Sequence, residues 1–214
     1  MSPIRPNRSI YLHGFASSPA SRKARYFVEQ FAARGLTLEV PALDEGDFEH
    51  LTLTAQLALI ERLAAGDPVN ILGSSMGGYL AALYAARHPE VRRVVLLAPA
   101  FRLAERWEAR LGSAAMAEWR RTGSLSVFHY GDLRERPLSP NLIDDAHRYE
   151  AFPGVRQPTL IFHGQNDDTV PVIDSVTFAS TRPNVALDIL DSDHELGNVL
   201  EHMSRRALAF LNAE

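Results

Sequence analysis

Residues 73–77 read Gly-Ser-Ser-Met-Gly. An apolar run, "VNIL", leads into them, and "GYLAALYAARH" behind them carries apolar residues at helical spacing. A serine between two glycines at the exit of a buried strand marks a strand-to-helix turn. The turn is so sharp that positions two residues away must lack side chains, and the central residue is held in a strained conformation. That spacing puts Ser75 at the apex and leaves Ser74 to bond locally to backbone. A helix starting at Met76 would offer its free N–H groups and its dipole to developing negative charge. A serine hydroxyl is a poor nucleophile without a base. Two later segments each follow an apolar run: "FHGQNDDTVP" (162–171), with Asp167 and Asp168, and "LDSDHELG" (190–197), with His194. Serine, acid and histidine thus arrive in the order expected for such a turn. In that arrangement His194 takes the Ser75 proton and returns it to the leaving group, while the acid fixes the imidazole tautomer. Oxyanion donors are expected from the N–H groups of Met76 and of Phe15, the latter in the loop "LHGFASS" after the first strand.

These residues need a scaffold that brings distant strand ends together. Strand-like and helix-like segments alternate along the chain. The strands are "RSIYLHG" (8–14), "LTLEVPAL" (36–43), "PVNILGS" (68–74), "VRRVVLLAPA" (91–100), "QPTLIFHG" (157–164) and "NVALDILDS" (184–192). Between them, helical patterns cover 18–35, 51–66, 76–89 and 172–181, and a last one covers 195–211. In the first helix Ser18 is the expected N-cap, with Pro19 at the first helical position and Gly35 at the end. Continuous apolar strands separated by helices specify a parallel sheet covered on both faces. In such a sheet ligands bind beyond the carboxyl ends of the strands, where all the residues singled out above fall. Residues 101–156 break the rhythm and carry helical pieces such as "LAERWEARLGSAAMAEWRRTG" (103–123). They read as a small helical cap, with Phe101, Trp107, Trp119, Phe128, Tyr130, Tyr149 and Phe152 mostly packing it onto the domain.

The motifs resemble the α/β-hydrolase superfamily over nearly the whole chain. "YLHGFASSPASRKA", "GSSMGGYLA", "HGQNDDTVP" and "SDH" are similar to segments of its small bacterial esterases and acyl-thioesterases. They also look like the abhydrolase-domain palmitoyl thioesterases that cleave acyl-glucuronides. The family pattern His-Gly-x-x-Asp-x-x-Val-Pro falls on His163, Gly164, Asp167, Val170 and Pro171, and so selects Asp167 over Asp168. The resemblance implies a truncated α/β-hydrolase fold that lacks the first two strands of longer members. About six strands remain, in a single domain spanning 1–214 with the cap at about 101–156. It also implies a serine hydrolase of carboxylic esters that works through an acyl-enzyme. An acyl-thioesterase, acting on acyl-CoA or S-acyl protein, is the alternative, and a non-catalytic receptor on the same fold is a third reading.

Composition narrows the rest. The chain has 214 residues, a net charge of −4 and no cysteine. That argues against nucleic acid as a partner and against disulfides or thiolate metal sites. No His/Asp/Glu cluster has metal-ligand spacing, and acyl transfer of this kind needs no cofactor. The N-terminus "MSPIRPNRS" has no apolar core of a secretory signal, and the longest apolar run is too short for a membrane span, so a cytoplasmic protein is expected. Oligomeric state, acyl length and leaving group are open at this level. Among the other histidines, His13 and His163 are expected to pack or hydrogen-bond at strand ends. His50, His88 and His202 are expected at the surface or at helix ends, and His129 and His147 in structural roles. Lys23, the single lysine among many arginines, carries no assigned chemistry.

Overall fold

The structure, a computed structural model, describes residues 8–212. The N-terminal residues read above as lacking a signal, 1–7, lie outside the described residues. Six strands form one sheet: β1 (Arg8–Leu12), β2 (Leu38–Glu39), β3 (Val69–Ser74), β4 (Val91–Leu97), β7 (Thr159–Gly164) and β8 (Val185–Leu190). Their order is β2-β1-β3-β4-β7-β8, and every neighbouring pair is parallel. The helices are α1 (Arg22–Ala32), α2 (Leu53–Ala64), α3 (Met76–Arg87), α4 (Leu103–Thr122), α5 (Asn141–Ala146), α6 (Val172–Ser180) and α7 (Leu200–Leu211). No helix among the described residues is long and apolar enough to cross a membrane.

Strand side chains alternate between two apolar layers. Ile10, Leu12, Ile71, Val94 and Leu96 point into one, which α2, α3 and α6 complete with Ile60, Leu80 and Phe178. Tyr11, Leu72, Val95, Leu97 and Phe162 point into the other, against Phe27 and Phe31 of α1 and Met203 and Leu208 of α7. Both faces of the central strands are thus removed from water, and β3 and β7 are buried along their whole length. The order reverses between β1 and β3, where Leu12 pairs with Gly73. Chains diverging from two adjacent strand ends leave a crevice there.

Three local expectations change. The N-cap of α1 is Ser21, whose hydroxyl accepts the Ala24 N–H, because Ser18 is used in a preceding turn that its carbonyl closes with the Ser21 N–H. The last helix begins at Leu200, not 195, since turns through Leu196 and Val199 come first. The insertion is not wholly helical. After α4 it forms an antiparallel hairpin of β5 (Leu125–His129) and β6 (Arg134–Leu138), then α5. Gly112 adopts φ 75° within α4 and divides it into two helical pieces.

Hydrogen bonds tie residues 101–156 to the rest of the fold. The Trp119 indole N–H donates to the Leu138 carbonyl at 2.8 Å, joining α4 to the hairpin. The Tyr130 N–H donates to the Ala16 carbonyl at 2.8 Å, joining the hairpin tip to the loop after β1. Asp145 accepts the Thr54 N–H and hydroxyl at 2.8 and 2.7 Å, joining α5 to α2. Phe101 and Trp119 are buried, as expected of packing residues, whereas Phe128 and Tyr130 are exposed on the hairpin.

Candidate active site

Ser75 sits between β3 and α3 at φ 54°, ψ −120°, a strained conformation for a residue with a side chain. The turn is held by its own backbone. The Ser75 N–H donates to the Leu97 carbonyl at 2.9 Å, and the Ser75 carbonyl accepts the N–H of Tyr79 and of Ala100. The flanking glycines are steric requirements. A Cβ on Gly73 would overlap the Gly77 carbonyl, and one on Gly77 would overlap the carbonyls of Leu12 and His13. The hydroxyl of Ser75 lies 3.1 Å from Nε2 of His194, and Nδ1 of His194 lies 2.7 Å from Oδ2 of Asp167. The three residues named from the sequence are thus brought together. Asp168, the neighbour set aside, is exposed and accepts the Thr169 hydroxyl instead.

Asp167 comes from the loop after β7 and His194 from the loop after β8, strands that pair through Gly164 and Leu190. Side chains tie the two loops together, since Gln165 and Asn166 both donate to Asp191. Asp193 caps the next turn by accepting the N–H groups of Glu195 and Leu196. The Asp167 carboxylate is 0% exposed, and the His194 side chain is 14% exposed. Oδ1 of Asp167 accepts the N–H groups of Thr169 and Val170 at 2.9 and 2.7 Å. Oδ2 takes His194 and also lies 3.2 Å from Nε2 of His163. Burial opposes ionisation of Asp167. Hydrogen bonds from His163, His194 and the Val170 N–H outweigh it and hold the carboxyl well below the usual carboxylate range.

The loop after β1 closes the other side. Gly14 approaches Ser75 so nearly that a Cβ there would stand 3.4 Å from the serine Cβ. Nδ1 of His13 bonds the Gly14 carbonyl at 2.9 Å, and Nε2 accepts the Leu43 N–H at 3.4 Å. Burial pulls the His13 pKa down, which suits the neutral ring that this pattern requires. Phe15 follows, its ring 5.1 Å from and edge-on to Trp107 of the insertion. Met76 is the first residue of α3, where a helix leaves N–H groups without an intrahelical acceptor.

Two neighbours were not assigned to the site by sequence. His163 was expected to hydrogen-bond at its strand end, but its contact with Asp167 was not foreseen. The four-residue spacing within His-Gly-x-x-Asp was the available signal. Lys23 lies at the rim, 12% exposed and 3.6 Å from Glu195, the residue after His194. Burial lowers its pKa, opposed chiefly by Glu195.

With this geometry described, the chain can be compared with known proteins. The profile of UPF0227, described as an uncharacterised protein family, matches residues 8–212. The chain belongs to that family. No curated protein matches the sequence. Among solved structures, alpha/beta hydrolase domain-containing protein 10 from mouse superposes with a TM-score of 0.80 at 19% identity, covering 99% of this chain and 90% of that one. Est1E from Butyrivibrio proteoclasticus with bound ferulic acid gives 0.74 at 22% identity, covering 98% and 90%. A monoacylglycerol lipase from Paleococcus ferrophilus gives 0.74 at 17%, covering 96% and 95%. At such identities the likeness is one of fold, and this member of UPF0227 has the α/β-hydrolase fold.

Proposed function

We propose that the protein is a serine hydrolase of carboxylic esters, with Ser75, Asp167 and His194 as its catalytic triad. The observation that carries this is the continuous hydrogen-bonded path from the strained Ser75 hydroxyl through both nitrogens of His194 to a buried carboxylate. With Nδ1–H donated to Asp167, the lone pair of His194 Nε2 faces Ser75. Ser75 Oγ attacks the ester carbonyl and Nε2 takes its proton. The oxyanion is held by the N–H groups of Met76 and Phe15. Nε2–H then protonates the departing alcohol, leaving an acyl-enzyme. His194 next deprotonates a water, which attacks the acyl carbon, and the carboxylic acid leaves as Ser75 recovers its proton. Similarity to an esterase crystallised with ferulic acid and to a monoacylglycerol lipase agrees with an ester substrate. In this reading residues 101–156 are a cap of one continuous domain, and Trp107 borders the substrate space through its contact with Phe15.

The test is labelling with a fluorophosphonate probe, together with hydrolysis of aryl esters of increasing acyl length. Wild type should label and turn over, and Ser75→Ala should do neither. A folded wild-type chain that neither labels nor hydrolyses any ester would overturn the proposal. Matched oxygen and sulfur esters compare ester with thioester preference.

A further inference from the structure

Gln56, on the inner face of α2, is 0% exposed. Its Nε2 donates to the Thr52 carbonyl at 3.1 Å, an oxygen that can only accept, so the amide orientation is fixed. That leaves Oε1 buried, with no donor to it among the described residues. A buried acceptor without a partner is uncommon and calls for an explanation. Gln56 lines a small cavity of about 10 Å³, room for one oxygen-sized group.

The cavity adjoins two neighbours of the reacting serine. Gly14 and Met76 form part of its wall, and these are the residues that abut and follow Ser75. Phe48 supplies an apolar side. His13 also lines it, but both of its ring nitrogens are already engaged. His129, brought in by the hairpin, stands edge-on to Phe48 at 4.7 Å. Its Nδ1 accepts the Asp132 N–H at 3.1 Å, so in the neutral ring Nε2 carries the proton and is a donor. The lining therefore combines a free acceptor on Gln56, a donor on His129, the polar residues Ser17 and Asp44, and apolar walls. A hydroxyl, which both donates and accepts, matches that combination.

We infer that this cavity is an acyl subsite for short hydroxy-acid esters, with Gln56 Oε1 accepting the hydrogen bond of the substrate hydroxyl. The inference rests on the ester-hydrolase reading. In this proposal the carbonyl oxygen occupies the oxyanion position beside Met76 and the acyl chain is directed past Gly14, with only its hydroxyl entering the cavity. An acyl chain without the hydroxyl would leave Oε1 unpaired, and sites built to bond a substrate hydroxyl discriminate strongly against analogues that lack it.

The experiment compares kcat/KM for ethyl 3-hydroxybutyrate and ethyl butyrate, with fluorophosphonate labelling measured in parallel. Wild type should favour the hydroxy ester by about 10- to 100-fold. Gln56→Met should label normally and lose that preference. Inhibition by free 3-hydroxybutyrate against butyrate repeats the comparison on wild type alone, so the test survives if the variant fails to fold. Equal handling of the two esters and the two acids by a labelling-competent wild type would mean that the cavity takes water only, and would overturn the inference. A preference that persists in Gln56→Met would also overturn it. Failure to label at all would instead remove the hydrolase reading beneath it.

Discussion

Replacing Asp167 by asparagine tests the whole site at once. The native carboxylate accepts N–H groups from Thr169 and Val170 at Oδ1 and from His194 at Oδ2, where Nε2 of His163 also stands 3.2 Å away. Nε2 of His163 also lies 2.9 Å from the Val170 carbonyl, which can only accept, so that nitrogen carries a proton. An asparagine must turn its NH2 toward one of these pairs. Backbone N–H groups cannot change, so the NH2 faces the histidines. His194 then has to accept at Nδ1, its proton moves to Nε2, and the ring can no longer take the proton of Ser75. Loss of the correct tautomer is expected to lower kcat by about 10³- to 10⁴-fold, or about 4–5.5 kcal/mol of transition-state stabilisation. His163 meets the same NH2 in place of a negative charge and keeps the Val170 carbonyl as its acceptor. Hydrogen bonds to a charged group are worth about 1.5–3 kcal/mol each, so the variant should be less stable by about 3 kcal/mol at neutral pH. The effect depends on pH with a definite sign. The folded-state pKa of Asp167 is depressed, so its contribution is present above the unfolded carboxyl value of about 3.9 and is lost as pH falls through the folded value. The stability gap between wild type and Asp167→Asn should therefore narrow from pH 7 to pH 3. Urea unfolding at both pH values and ester kinetics at pH 7 measure the two effects. A variant that keeps kcat within tenfold of wild type, or a gap that does not change with pH, would refute this reasoning.

Gly77→Ala places a methyl against the carbonyls of Leu12 and His13, backbone that cannot step aside. Overpacking of that kind should cost about 3 kcal/mol, read as a lowered urea midpoint. Trp119→Phe removes the N–H that the buried Leu138 carbonyl accepts. The unpaired acceptor should cost about 1–3 kcal/mol, and amide exchange should quicken in β5 and β6 more than in β3 and β4. In wild type, kcat/KM should rise from acid to neutral pH, because His194 acts as a base only when neutral, and a flat profile between about pH 5 and 9 would count against it.

The sheet was legible because burial on both faces makes each central strand apolar along its length, a signal that needs no partner to read. The elbow was legible for a similar reason. Its glycines answer to clashes within a few residues and with the adjacent strand, so the constraint is written locally. The hairpin at 125–138 was not, because its inward positions mix Leu125, Val127 and Leu138 with His129 and Arg136. Arg136 lies over the ring of Phe48 at 5.6 Å, and His129 packs against the same ring, so a guanidinium and an imidazole stand where alternation would call for aliphatic groups. The helix starts were misplaced where tertiary bonds outrank local capping. Serines at 17, 18 and 21 all suit an N-cap, and the hairpin tip holding Ala16 helps decide which is used. The late start of α7 has the same origin, since residues 193–199 fold as turns that leave His194 aimed at Ser75. What stayed hidden in the sequence is thus concentrated around the crevice. There the insertion brings Trp107 and His129 to the β1 loop, and side chains far apart in the chain, Gln56 and His129 among them, acquire a shared surface only once the chain has folded.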